Sequence, residues 1–252
     1  MIRRISVLAV TAPIALTACG GGGGDDRPTV SGPTHTAPST TATTLAPNTS
    51  LVAHVTVPQV QLYNAPDTQP VRTLANPWLL NDDPNLPIPL VFLVLERSGD
   101  DWVRIQLPER PNGSSAWVQT KEVQLVATRY RIVVELGAHR ITVFDGETAL
   151  LQEPVAIGKP ATPTPTGLYY VRVLLQAPDP NTVYGPYAYG LSGHSEVLTQ
   201  FNGGDGEVGI HGNNDASVLG QSVSSGCVRM SNESITRLAG ILPLGTPVEI
   251  VA

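Results

Sequence analysis

A mainly β chain with one short helix is the fold class that the sequence predicts. Its 24 glycines and 23 prolines in 252 residues cut the chain into runs too short for long helices. Within those runs apolar and polar residues alternate at the two-residue period of a half-buried strand. Helical spacing occurs once, over Glu233–Leu242, where Ile235, Leu238 and Leu242 fall on one face and Ser231 is the predicted N-cap.

The chain opens with Arg3 and Arg4, an apolar run from Ile5 to Leu16 and small residues before Cys19. That is the layout of an export signal, and the run is too short to be a membrane span. Leu16-Thr17-Ala18-Cys19 resembles the bacterial lipobox. The resemblance implies that residues 1–19 form a lipoprotein signal, that Cys19 is the acylated anchor, and that the protein is extracytoplasmic, held to the membrane and facing the cell wall. Two acyl chains satisfy the need for more than one lipid signal in stable anchoring. Residues 20–52, rich in Gly, Thr and Pro, cannot bury enough surface to offset their ordering entropy and are predicted to be a disordered tether.

Residues 53–127 carry alternating runs at His54–Val57, Val60–Tyr63, Leu90–Leu95, Trp102–Leu107 and Ala116–Val118. They read as the strands of a small barrel or sandwich, with Pro111-Asn112-Gly113 as a hairpin turn. Trp102 and Trp117 read as core residues. Gly99-Asp-Asp-Trp-Val-Arg-Ile-Gln-Leu-Pro108 followed by Ala116-Trp117-Val118 resembles bacterial SH3-like domains, with Ala116 where a glycine is usual. This implies an SH3-like small barrel.

Residues 128–252 begin with predicted strands at Tyr130–Glu135, Arg140–Phe144 and Thr148–Leu151, the last two joined by the Asp145-Gly146 turn. A proline-paced loop from Lys159 to Gly167 leads into a strand at Leu168–Val173. Tyr184, Tyr187 and Tyr189 are candidates to wall a groove. His194 reads as a loop residue after a Ser-Gly turn, and His139 as an exposed hairpin tip. The closing strand runs towards Val251.

Chemistry concentrates in residues 209–231, which hold His211, Gly226, Arg229 and Cys227, the cysteine that lies outside the export signal. A free thiol, with a pKa of roughly 8.5, needs an imidazole, a cation or a helix N-terminus to act as a nucleophile at neutral pH. His211 and Arg229 supply the first two. Ser224-Ser225-Gly226-Cys227 reads as a turn in which Gly226 takes a backbone conformation other residues avoid. A catalytic Cys227 is then expected to alkylate quickly well below pH 8.

Thr164-Pro-Thr-Gly167, Ile210-His-Gly212 and Ser224-Ser-Gly-Cys-Val-Arg-Met230, in that order, resemble the YkuD catalytic domain of L,D-transpeptidases, which cross-link bacterial peptidoglycan. One departure is Ser225, where many members have histidine. The resemblance implies a YkuD-type β-sandwich and a thioester on Cys227 made from a donor tetrapeptide stem. An acceptor stem would then resolve it into a 3→3 cross-link. It also implies that His211 pairs with the thiolate and shuttles the proton, that the Gly226 carbonyl orients its imidazole, that Arg229, Ser224, Ser225 and Tyr189 line the substrate, and that Ser224 braces the loop. L,D-carboxypeptidase action by the same site and a catalytically silent wall-binding lipoprotein are the alternatives. A cysteine peptidase of the NlpC/P60 class is disfavoured because it places cysteine before histidine.

A net charge of −6 argues against nucleic acid as a partner. His211 and Cys227 are too few ligands for a metal, and no cofactor is implied. The partners implied are peptidoglycan stems and, through Cys19, a membrane; the sequence sets no oligomeric state.

Overall fold

Runs of four to ten residues with β-branched and aromatic side chains at alternate positions become strands because both faces find partners. The computed structural model describes residues 46–252 apart from 201–203. The predicted signal with Cys19, and the tether as far as residue 45, lie outside the described residues.

In chain order the strands are β1 (Ser50–Val55), β2 (Gln59–Tyr63), β3 (Pro70–Ala75), β4 (Trp78–Leu79), β5 (Pro87–Ile88), β6 (Val91–Ser98), β7 (Trp102–Gln106), β8 (Ser115–Gln119) and β9 (Val123–Thr128). They continue with β10 (Tyr130–Glu135), β11 (Arg140–Asp145), β12 (Thr148–Pro154), β13 (Ile157–Gly158), β14 (Gly167–Gln176) and β15 (Tyr187–His194). The last are β16 (Glu207–His211), β17 (Ser222–Ser224), β18 (Val228–Arg229) and β19 (Pro247–Val251), with helix α1 (Asn232–Ala239) before β19. The fold is mainly β. A seven-stranded sheet has the order β3-β2-β8-β7-β6-β1-β9, and an eight-stranded sheet the order β12-β11-β10-β19-β14-β15-β16-β18.

Several boundaries differ from the sequence reading, each for a visible reason. β1 starts at Ser50, inside the stretch assigned to the tether, because Ser50–Val55 pairs residue for residue with β9. β3 carries little apolar burial and starts with a proline, as an edge strand can. Helix α1 begins at Asn232, where the Ser231 side chain accepts from the Ser234 N–H, and stops at Ala239 with Gly240 as C-cap. The helix thus ends ahead of Pro243, which could not have continued it. Leu242 reaches the same core from beyond the helix. Glu153 of β12 fastens the helix start, accepting from Ser231 N (3.0 Å), Ser231 Oγ (3.1 Å) and Ser234 Oγ (2.6 Å).

Each sheet has its own core, but the cores share a seam. Tyr170 of β14 is fully buried with Val52, Phe92, Val103 and Ile105 of the first sheet. The β7–β8 turn grips the second sheet. Asn112 exchanges two hydrogen bonds with the His194 backbone at 2.8 Å, and the Arg110 guanidinium donates to the carbonyls of Ser195 (2.7 Å), Leu198 (3.0 Å) and Asp205 (2.8 Å). Those carbonyls sit on the connection that delivers β16.

Candidate active site

Alternation along two neighbouring strands builds the site. Val208 and Ile210 of β16, and Val228 and Met230 on and after β18, point into the second core. Glu207, Gly209, His211, Cys227 and Arg229 therefore turn to the opposite face. β16 and β18 run parallel with Ile210 beside Val228 and His211 beside Arg229, which sets Cys227 next to Gly209 and diagonal to His211. Diagonal neighbours are about 7–8 Å apart at Cα, within reach of longer side chains. Gly209 matters for its missing side chain and for its N–H. A Cβ there would lie 4.0 Å from Cys227 Sγ and 2.9 Å from the Tyr189 carbonyl, and its backbone N–H donates to the sulfur. On the other flank β15 places Ala188 opposite His211 and Gly190 opposite Gly209.

The same alternation corrects two expectations. Tyr189, read as a substrate residue, lies beside Ile210 and is 1% exposed in the core; burial pushes its hydroxyl pKa up. Tyr184 is the tyrosine at the site, its ring 5.0 Å from the His211 ring and tilted by 54°. His194, read as a loop residue, is a fully buried member of β15, with Nε2 3.0 Å from the Asp205 carboxylate. His139 stands at the expected hairpin tip but is only half-exposed, with Nε2 2.9 Å from Ser222 Oγ.

The cysteine turn is braced from within. Gly226 takes a φ of +120°, which L side chains rarely adopt. Ser224 Oγ accepts from Gly226 N (3.1 Å) and donates to the Cys227 carbonyl (2.6 Å). Ser224 is thus the expected loop brace, and at 1% exposure it is too buried to be a substrate contact as well; Ser225 stands half-buried at the turn. Ser224→Ala is expected to leave the Gly226 N–H without its acceptor and to cost about 1–3 kcal/mol. Thermal melting measures it, and an unchanged midpoint would remove the brace assignment.

A second loop closes on this turn. β13 pairs with β17, and the Ser224 carbonyl accepts from Lys159 N (3.0 Å) and Thr162 Oγ1 (3.2 Å). Thr164 Oγ1 returns to Gly158 N at 2.9 Å. The proline-paced segment therefore wraps tightly over Gly158. Asn213 and Asn232, which the sequence reading passed over, tie the histidine loop to α1: Asn232 Oδ1 accepts from Asn213 N (2.8 Å), and Asn213 Nδ2 donates to the Met230 carbonyl (2.9 Å).

The imidazole is oriented by a different carbonyl from the one expected. His211 Nδ1 lies 2.6 Å from the Gly212 oxygen, not against Gly226. A carbonyl only accepts, so Nδ1 carries the proton and Nε2 of the neutral ring is free to take one. Burial, with Arg229 adding to it, lowers the His211 pKa to about 4 against a favourable contribution from the Gly212 bond. Burial also raises the Cys227 thiol, with Glu207 adding to it, while Gly209 and Arg229 pull the other way. Burial thus opposes the charged form of both groups, the reverse of what the expected thiolate pair and fast alkylation well below pH 8 require. Arg229 exchanges backbone hydrogen bonds with Ala156 at 2.8 and 2.9 Å. Its buried Nε has no partner among the described residues.

Residues 129–250 match the family model of YkuD, described as the L,D-transpeptidase catalytic domain. YkuD of Bacillus subtilis, classed with the L,D-transpeptidases, is 35% identical over 121 residues, 48% of this chain and 65% of the relative. L,D-transpeptidase 1 of Mycobacterium tuberculosis is 26% identical over 184 residues, 59% of this chain and 70% of the relative. A solved structure from Bdellovibrio bacteriovorus aligns over 49% of this chain and 48% of its own at 28% identity, with a TM-score of 0.40. The match to the Bacillus relatives thus spans just under two thirds of their length.

Proposed function

We propose, from the match of residues 129–250 to the YkuD catalytic domain, that the protein is a peptidoglycan L,D-transpeptidase that forms 3→3 cross-links through a thioester on Cys227. What carries this reading is the single strand face that holds Cys227, His211 and Arg229, with Nε2 of His211 unprotonated. Cys227 Sγ attacks the carbonyl of the third residue of a donor tetrapeptide while its proton passes to His211 Nε2. Because burial opposes the charged form of both groups, proton transfer and attack go together. Backbone N–H groups of the braced turn stabilise the oxyanion. Collapse breaks the peptide bond to the terminal D-Ala, whose amine leaves with the proton from His211. An acceptor amine then attacks the thioester, gives its proton to His211 and frees the thiol.

In the same reading Cys19 anchors the chain to a membrane by its acyl groups, and residues 53–127 are an SH3-like module beside the catalytic unit.

The test is mass spectrometry of the purified chain incubated with disaccharide-tetrapeptide, beside the Cys227→Ala variant. A dimer joined between third residues, absent with Cys227→Ala, is the expected result. A tripeptide alone would make water the acceptor and the enzyme a carboxypeptidase. No product and no acyl adduct would leave the silent wall-binding alternative.

A further inference from the structure

Glu207 is the acidic residue on the site's face, and the chemistry above has no use for it. It opens β16 two residues before Gly209, so alternation turns it to the side of His211 and Cys227, and its charge opposes ionisation of the thiol. Arg172 of β14 pairs with it through Nη1 and Oε1; the two side chains are 15% and 28% exposed. Arg172 is held in turn from its other side, with its guanidinium 3.9 Å above the ring of Trp78. Trp78 lies in β4 and packs against the first core. A planar guanidinium can offer its edge to a carboxylate and its face to an indole at once. Contacts therefore run from the first core to Glu207, which stands on the site's face two residues before Gly209.

We propose that Trp78 and Arg172 are positioning residues for the Cys227 site: Trp78 holds the guanidinium, Arg172 neutralises Glu207, and the first sheet thereby governs how readily the nucleophile ionises. The proposal rests on Cys227 being the nucleophile, and it makes the first sheet a working part of the catalytic unit. The charged and titratable groups around the thiol are Glu207 and His211 from β16 and Arg229 from β18, with Arg172 and Tyr170 of β14 next to Glu207. Arg229 and the Gly209 N–H favour the thiolate directly. Glu207 opposes it, and Arg172 is the cation paired with Glu207.

The experiment follows iodoacetamide alkylation of Cys227 against pH in the full chain. Thiolate absorbance, taken as the difference from Cys227→Ala, gives the same midpoint where alkylation is slow. Glu207→Gln is expected to move the midpoint down by roughly half a pH unit, and Arg172→Met to move it up by a similar amount. Below the midpoint, half a unit is about a threefold change in rate. Trp78→Leu should follow Arg172→Met by a smaller step. The double variant Arg172→Met/Glu207→Gln should return to the Glu207→Gln value. Loss of packing alone would move both single variants in one direction. That outcome, or unmoved midpoints in variants whose circular dichroism is unchanged, would overturn the proposal. Alkylation needs no peptide substrate, so failure of the cross-linking assay leaves this result readable.

Discussion

His211→Ala is expected to lower the rate of thioester formation by about 10²–10⁴-fold, the usual worth of a positioned general base, with little change in the affinity for the donor stem. The size follows from the burial of both groups, which opposes their charged forms. A thiol whose pKa burial has raised ionises too rarely at neutral pH to attack unaided, so the variant loses its means of removing the proton. Single-turnover acylation followed by mass spectrometry measures the loss, and acylation at the parent rate would exclude the base role. The pH dependence has a definite sign. With a folded pKa of about 4, His211 remains neutral through the physiological range, so acylation by the parent should hold level from pH 7 to about pH 5 and decline towards pH 4. Stability follows the same group. The unfolded value, near 6.5, lies above the folded one, so the unfolded chain binds more protons between pH 6.5 and 4. The stability that His211 contributes is complete above pH 6.5 and is lost as the pH falls to about 4. Urea midpoints for the parent should fall over that window and those of His211→Asn should fall less; parallel curves would mean that the ring is not buried neutral.

Gly158→Ala is the second substitution with a large expected effect. A Cβ at Gly158 would stand 2.3 Å from the Thr162 carbonyl oxygen, 2.5 Å from Thr164 N and 2.7 Å from the Pro163 carbonyl carbon. All three are backbone atoms of the segment folded over the cysteine turn, so relief requires that segment to move. Moving it breaks the bonds from Lys159 N and Thr162 Oγ1 to the Ser224 carbonyl and from Gly158 N to Thr164 Oγ1. Overpacking costs up to about 3 kcal/mol, which for a body of this size is a fall in melting temperature of roughly 6–12 °C. Acylation should drop with it, since Ser224 also braces Gly226 and Cys227. Gly240→Ala is the control: its φ is −89° and its nearest contact would be an ordinary 3.6 Å. If Gly158→Ala melts with the parent, the close wrap over the turn is not what holds it.

Both positions show how unevenly the sequence speaks. His211 and Cys227 were legible because histidine and cysteine are scarce here and stand among glycines, in an order shared with the YkuD motifs. Gly158 was not, since a glycine before a proline-paced loop has many uses, and only the packed loop shows a Cβ to be excluded. Strands such as Tyr130–Glu135 were readable from alternation. β9 and the edge strand β3 were not, because they exist through their partners more than through their own pattern. Glu207 and Arg172, distant in the chain, gave no sign of meeting.

By itself the sequence determined the mainly β class and the short helix with its Ser231 cap, and it singled out His211 and Cys227 as the candidates for the chemistry. Period-two patterning, capping and rare reactive side chains are local properties, written where they act. Tertiary structure alone decided that Tyr189 points into the core while Tyr184 faces His211, that Gly212 and not Gly226 orients the imidazole, and that burial opposes the charged forms of thiol and imidazole. Each of these depends on strand register and on how much water the surrounding chain removes, and both are set by residues far away in sequence that pairing and burial bring together.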